Sequence, residues 1–190
     1  MGRGGDRNSD VYRGVHLPGI CVQLSDLDVS IESRRGSVST YTATVRWQRG
    51  DQPFTDGKYS RGHDISFDGG VSFRGSSAPG VVRPPLSEVA AADPEEMLVA
   101  SLSMCHMLFV LDFARKAGFV IDSYTDTAEG EMGVDERGKT SVTRVTLKPR
   151  VIWSGEITPC GADIQQLHRK AHEACFIANS FRGEVEIAPH

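Results

Sequence analysis

One stretch restricts this fold more than any other. From Asp93-Pro94-Glu95-Glu96 to Gly118 the chain reads as a single helix with apolar residues around almost its whole circumference. Asp is a favoured N-cap, Pro suits the first helical position, and the two acids suit the positive end of the dipole. Arg115 and Lys116 in the last turn and Gly118 just beyond them read as the stop. Between these limits Met97, Leu98, Val99, Ala100, Leu102, Met104, Met107, Leu108, Phe109, Val110 and Leu111 surround almost the whole circumference. A helix apolar all round has to be buried, so this one is expected to run through the core. Ser101, Ser103, His106 and Asp112 interrupt the apolar run Met97–Phe113, which reads as too short to span a membrane. No membrane partner is therefore expected.

The flanking segments read mostly as strands. YTATVRW (41–47) alternates and is rich in β-branched residues. YSRGHDISF (59–67) and VSFRG (71–75) flank Asp68-Gly69-Gly70, a hairpin signal, and the Pro/Ser/Gly-rich segment 76–92 reads as a loop. Two longer alternating stretches, 119–133 and 139–153, are joined by the Asp135–Gly138 turn. Asp163 is expected to cap a second helix carrying Ile164, Leu167, Ala171 and Ala174 at helical spacing, and Gly183–Ala188 reads as a last strand. This order predicts an α+β fold with antiparallel sheets wrapped around a long buried central helix. Residues 1–37 read as a flexible extension with a short strand or turn around Val22–Ile31, and 38–190 as the folded domain.

Charge and cysteine usage narrow the function. A net charge of -4 over 190 residues argues against nucleic acid, which selects a basic surface. The N-terminus carries no apolar run followed by a small-residue cleavage site, so a cytoplasmic location is expected. Four cysteines are too few for a disulfide scaffold and read as inert, metal-bound or redox-active.

Cys105 lies mid-helix among apolar residues, where a free cysteine ordinarily acts as a small hydrophobe. His106 beside it, Ser103 nearby and Cys175 on the second helix point toward chemistry. Cys175 follows His168 and His172 on one helical face, a set that could ligate zinc or, with Arg169, Lys170 and Glu173 around it, simply meet solvent. No CxxC or HExxH spacing supports a metal. Cys21 and Cys160 read as incidental thiols. A nucleophilic cysteine needs a thiolate, which burial opposes, so a cation must stand beside it. His106, His172 and Arg61 are the candidates.

DPEEMLVASLSMCHM (93–107) resembles the signature of the OsmC/Ohr family, in which Asn/Asp-Pro-Glu opens the central helix and a reactive cysteine follows the glutamate by ten residues. AHEACFIANS (171–180) resembles the family's second cysteine motif, and SRGHDISFDGGVSF (60–73) its hairpin after an active-site arginine. The resemblance implies an intertwined homodimer that reduces peroxides without metal or organic cofactor. Cys105 would be the attacking thiolate, Cys175 the resolving thiol, Arg61 the residue that stabilises the thiolate, and Glu95 the residue that holds Arg61. A dithiol such as a lipoylated protein would be the reductant. Phe176 stands where proline is usual and His106 where an aromatic is common, which marks a divergent branch. Glu95 and Cys105 are about 15 Å apart along a continuous helix, so Arg61 or Glu95 is expected to come from the partner chain. The alternatives are a zinc or small-ligand binding protein using Cys105, His106, His172 and Cys175, and a redox-inactive scaffold.

Overall fold

The central helix forms where its termini dictate. The structure, a computed structural model, describes residues 38–190; the extension at 1–37, the strand or turn expected around Val22–Ile31 and Cys21 lie outside them. Helix α1 runs Pro94–Lys116. Asp93 Oδ1 accepts the Glu96 N–H at 2.7 Å while Glu96 Oε2 accepts the Asp93 N–H at 3.1 Å, so two otherwise orphaned donors are satisfied reciprocally. At the other end the Ala117 N–H returns to the Phe113 carbonyl at 3.0 Å, and Gly118 follows at φ 79°, a left-handed stop that a side chain would oppose. Removing the cap with Asp93→Ala is expected to cost about 1 kcal/mol, read as a lower urea midpoint with unchanged slope.

Strands β1 (Ala43–Arg46), β2 (His63–Phe67) and β3 (Ser72–Gly75) form one antiparallel sheet around the expected hairpin. The long alternating stretches each break in two. They give β4 (Val120–Asp126) and β5 (Glu129–Val134), then β6 (Thr140–Leu147) and β7 (Pro149–Ser154). β5 pairs with β6, and β4 with β7 in a separate sheet. Asp126 marks the switch, its Oδ1 accepting the Lys148 N–H at 2.7 Å. The last strand, β8 (Glu184–Ile187), lies parallel to β6, so the sheets are antiparallel except for that pairing.

Helix α2 spans Gly161–Ala174 and α3 spans Phe176–Ser180. Asp163 does not occupy the N-cap; Cys160 does, and Asp163 Oδ2 reaches back to accept the Cys160 N–H at 2.9 Å. The acid marks the helix start, as expected, but sits one turn inside. Cys160, expected as an incidental thiol, is disulfide-bonded.

Among the described residues, two apolar clusters hold the fold. Val110, Phe113, Ala114 and Phe119 pack with Leu167, Ala171 and Ala174 of α2. Leu102 packs with Val145 and Leu147, with Ile177, Ala178 and Phe181 against them. The buried stripe of α1 is therefore Leu102, His106, Val110, Phe113 and Ala114. The expectation of a helix buried on every side fails in this chain, where Met104 and Leu108 are 56% and 61% exposed. The cause is one-sided packing, with α2, α3 and β4–β6 on one flank and the β1–β3 sheet taking no substantial part. At its full length α1 is long and apolar enough to cross a membrane by length and composition, which corrects the sequence expectation. Its buried stripe instead packs against the protein's own helices and strands.

Candidate active site

The break between α2 and α3 is built on Cys175. This residue ends α2 with extended backbone, φ -67° and ψ 112°, and begins α3, its Sγ accepting the Ala178 N–H at 3.4 Å. The expectation of Cys175 within the second helix is thus refined to a junction. Cys105 on α1 lies close enough to the Cys175 thiol to raise its pKa. Phe109, one turn after Cys105, meets Phe176, the residue after Cys175, edge-to-face at 5.4 Å between centroids.

The two thiols differ in environment. Cys175 is buried at 1% exposure, whereas Cys105 is only partly covered. Burial, reinforced by the neighbouring Cys105, pushes the Cys175 thiol up to about 11, despite the opposing Ala178 N–H. At neutral pH Cys175 is a protonated thiol.

Beside the cysteines lies a buried histidine pair. His106 Nε2 and His168 Nδ1 are 2.9 Å apart, the rings nearly parallel at 9°. Burial, aided by the nearness of His168 and His172, pushes His106 down to about 3. Burial also lowers His168, to about 4, although Asp126 works against the shift. Both are neutral at pH 7, so one donates a single N–H to the other. Asp126 is fixed by the Ser103 hydroxyl, which donates to Oδ2 at 2.5 Å, and by the Lys148 N–H. Sequence reasoning places His168 with Cys175 and misses its pairing to His106. The available signal is the interruption of an apolar helix at Ser103 and His106, since buried polar groups demand partners.

Arg61 and Glu95 are elsewhere. Arg61 donates to the carbonyls of Gly57 and Tyr59 and lies over the Tyr59 ring at 3.8 Å. It makes no hydrogen bond or ion pair with Glu95 or Cys105 of its own chain, among the described residues. Glu95 lines a groove of about 560 Å³ with Asp93, Ser103, Met104 and Asp126. A different arginine organises the region next to Arg61: Arg74 bridges Glu88 at 2.6 Å and Asp64 at 2.9 Å. No group of three or more His, Cys, Asp or Glu side chains among the described residues is arranged to hold a metal ion.

The sequence model for OsmC-like proteins matches residues 87–190. An OsmC-like protein of unknown function from Vibrio cholerae is 47% identical with a TM-score of 0.79, over 80% of this chain and 100% of that one. Organic hydroperoxide resistance proteins share the fold at greater distance. The one from Elizabethkingia anophelis is 22% identical with a TM-score of 0.58, over 81% of this chain and 96% of that one. The one from Bacillus subtilis is 20% identical with a TM-score of 0.53, over 81% and 98%. No curated protein sequence matches the chain. The family model spans more than half of the sequence and the Vibrio cholerae relative is covered end to end: the chain belongs to the OsmC-like protein family.

Proposed function

We propose that the protein is a thiol-dependent peroxidase for organic hydroperoxides, with hydrogen peroxide a slower substrate. The observation that carries this reading is the nearness of a partly exposed Cys105 to a buried, protonated Cys175. The accessible sulfur meets the peroxide and the buried one waits. The Cys105 thiolate attacks one peroxide oxygen, the O–O bond breaks, and the leaving alkoxide takes a proton, giving an alcohol and a Cys105 sulfenic acid. The Cys175 thiol then displaces hydroxide from that sulfur, forming the disulfide and water. An external dithiol, such as a lipoylated protein, returns both thiols and is itself oxidised.

Arg61 stabilises the thiolate and orients the peroxide, and Glu95 holds Arg61, in a site completed across a cytoplasmic homodimer. Two observations support sharing between chains. Arg61 is tied up in its own loop, and Met104 and Leu108 on α1 and Val45 and Val71 on the β1–β3 sheet present apolar surface to solvent.

Thiol titration before and after one equivalent of cumene hydroperoxide tests the reading. The wild type is expected to lose two thiols as an intramolecular disulfide. Cys175→Ser should stop at a trappable Cys105 sulfenic acid, and Cys105→Ser should not react. Thiols that persist in the wild type sink the proposal and leave the scaffold reading standing.

A further inference from the structure

The sequence holds four cysteines, Cys21, Cys105, Cys160 and Cys175, and they do not share one state. Cys105 and Cys175 are free thiols, whereas Cys160 is disulfide-bonded. Distance separates Cys160 from the reactive pair as well. Cys160 caps the start of α2 and Cys175 its end, so about 20 Å of helix lies between them. Cys21 is the cysteine that remains to close the bond, and it belongs to the segment 1–37 outside the described residues.

The anchor on the domain side is well fixed. The Cys160 N–H donates to Asp163 Oδ2 at 2.9 Å, and the Cys160 carbonyl accepts the Ile164 N–H at 3.0 Å. Further along α2, Leu167, Ala171 and Ala174 are buried against α1. A segment tied to Cys160 is therefore tied to the core through one rigid helix. The Cys160 side chain itself is only partly covered, so a dissolved thiol can reach its sulfur. A thiolate released from Cys160 would face the positive end of the α2 dipole, with the Asp163 carboxylate as the opposing charge. Accessible disulfides are the readily reduced kind, and a stabilised thiolate leaves faster. In the cytoplasmic setting proposed above, disulfides of this sort form and open with the thiol pool rather than persist.

We propose that Cys160 is joined to Cys21 of the same chain, and that the bond is a reversible clasp for the N-terminal segment. Oxidation ties that segment to the first turn of α2, and reduction frees it from that anchor. The clasp does not depend on the peroxidase reading, because neither Cys105 nor Cys175 takes part. To open it, one thiolate of an external dithiol attacks Cys160 Sγ. The protein's sulfur–sulfur bond breaks, and Cys21 leaves as a thiolate and takes a proton. The second thiol of the reductant, losing its proton, then attacks its own sulfur in the mixed disulfide, and Cys160 leaves and is protonated. One protein disulfide and one dithiol become two protein thiols and one cyclic disulfide. Closing is the same exchange run backward, with the oxidised dithiol accepting the electron pair.

Peptide mapping of the full-length protein tests the pairing after equilibration with oxidised lipoamide and alkylation of the remaining thiols. Trypsin, cutting after arginine, leaves Cys21 in peptide 14–34 and Cys160 in peptide 151–169. The two should run as one linked mass that dithiothreitol separates. In Cys21→Ser the linked mass should vanish, and Cys160 should be alkylated without any reductant. Three results overturn the pairing: alkylated Cys160 in the oxidised wild type, peptide 151–169 linked to the peptide of Cys105 or Cys175, or a bond between two chains on a non-reducing gel. Reversibility is read on the folded protein. Reduced lipoamide without denaturant should abolish the linked mass, and a bond that yields only after unfolding is a permanent staple and overturns the clasp. Each of these results leaves the response of Cys105 and Cys175 to cumene hydroperoxide a separate question.

Discussion

Phe113→Ala is expected to lower the stability of the protein by about 3–5 kcal/mol and its melting temperature by about 10 °C. Phe113 is 1% exposed and sits where α1 meets α2 and the strand that follows, among Val110, Ala114, Phe119, Leu167 and Ala171. Its ring touches Phe109 at 6.0 Å, and the Lys116 ammonium lies 5.6 Å above its face. Truncation removes the transfer free energy of the ring and leaves a cavity whose walls belong to two helices, so neither can close it without moving the other. Urea unfolding checks the value. A loss below about 1 kcal/mol would mean that the cluster repacks and that the α1–α2 crossing is not fixed by shape.

Stability should also fall steeply in mild acid. His106 and His168 have folded-state pKa values of about 3 and about 4, both below the ordinary imidazole value of about 6.5. The unfolded chain therefore binds more protons than the native one between those limits, and stability rises with pH there. The contribution is fully present above about pH 6.5 and is lost as pH falls toward about 3. At pH 5 the two rings together should cost about 2–4 kcal/mol relative to pH 7.5. Denaturant midpoints across pH 4.5–8 read this directly. In a His106→Phe/His168→Phe protein the slope between about pH 5 and 6.5 should flatten. An equally steep profile in that variant would assign the acid sensitivity to carboxylates.

Most of the framework was legible because its signals are local. The reciprocal cap at Asp93 and Glu96, the Gly118 stop and the hairpin around Gly70 depend on residues a few positions apart. The Cys105–Cys175 contact was legible only through resemblance, since nothing local says that α2 breaks at Cys175. Three features escaped because they are decided by tertiary pairing. The alternation of 119–133 and 139–153 runs on through Asp126 and Lys148, so it does not reveal that the strands change sheets there. The apolar circumference of α1 reports what the helix wants buried and not how much one chain supplies. The His106–His168 bond joins residues on different helices, and each alone reads as an isolated polar position in a mostly apolar setting.

The position of Cys175 has a mechanical consequence. Ala174 before it belongs to the cluster around Phe113, and Ile177 after it packs with the cluster around Leu102. Cys105 likewise falls between Leu102 and Val110 on α1, so along each helix the cysteine separates a residue of one cluster from a residue of the other. A disulfide there would rivet one cluster to the other and close a loop of about 70 residues, enough to raise stability by about 4 kcal/mol through the unfolded chain alone. The oxidation state of the thiols would then also set the stability of the body that holds them.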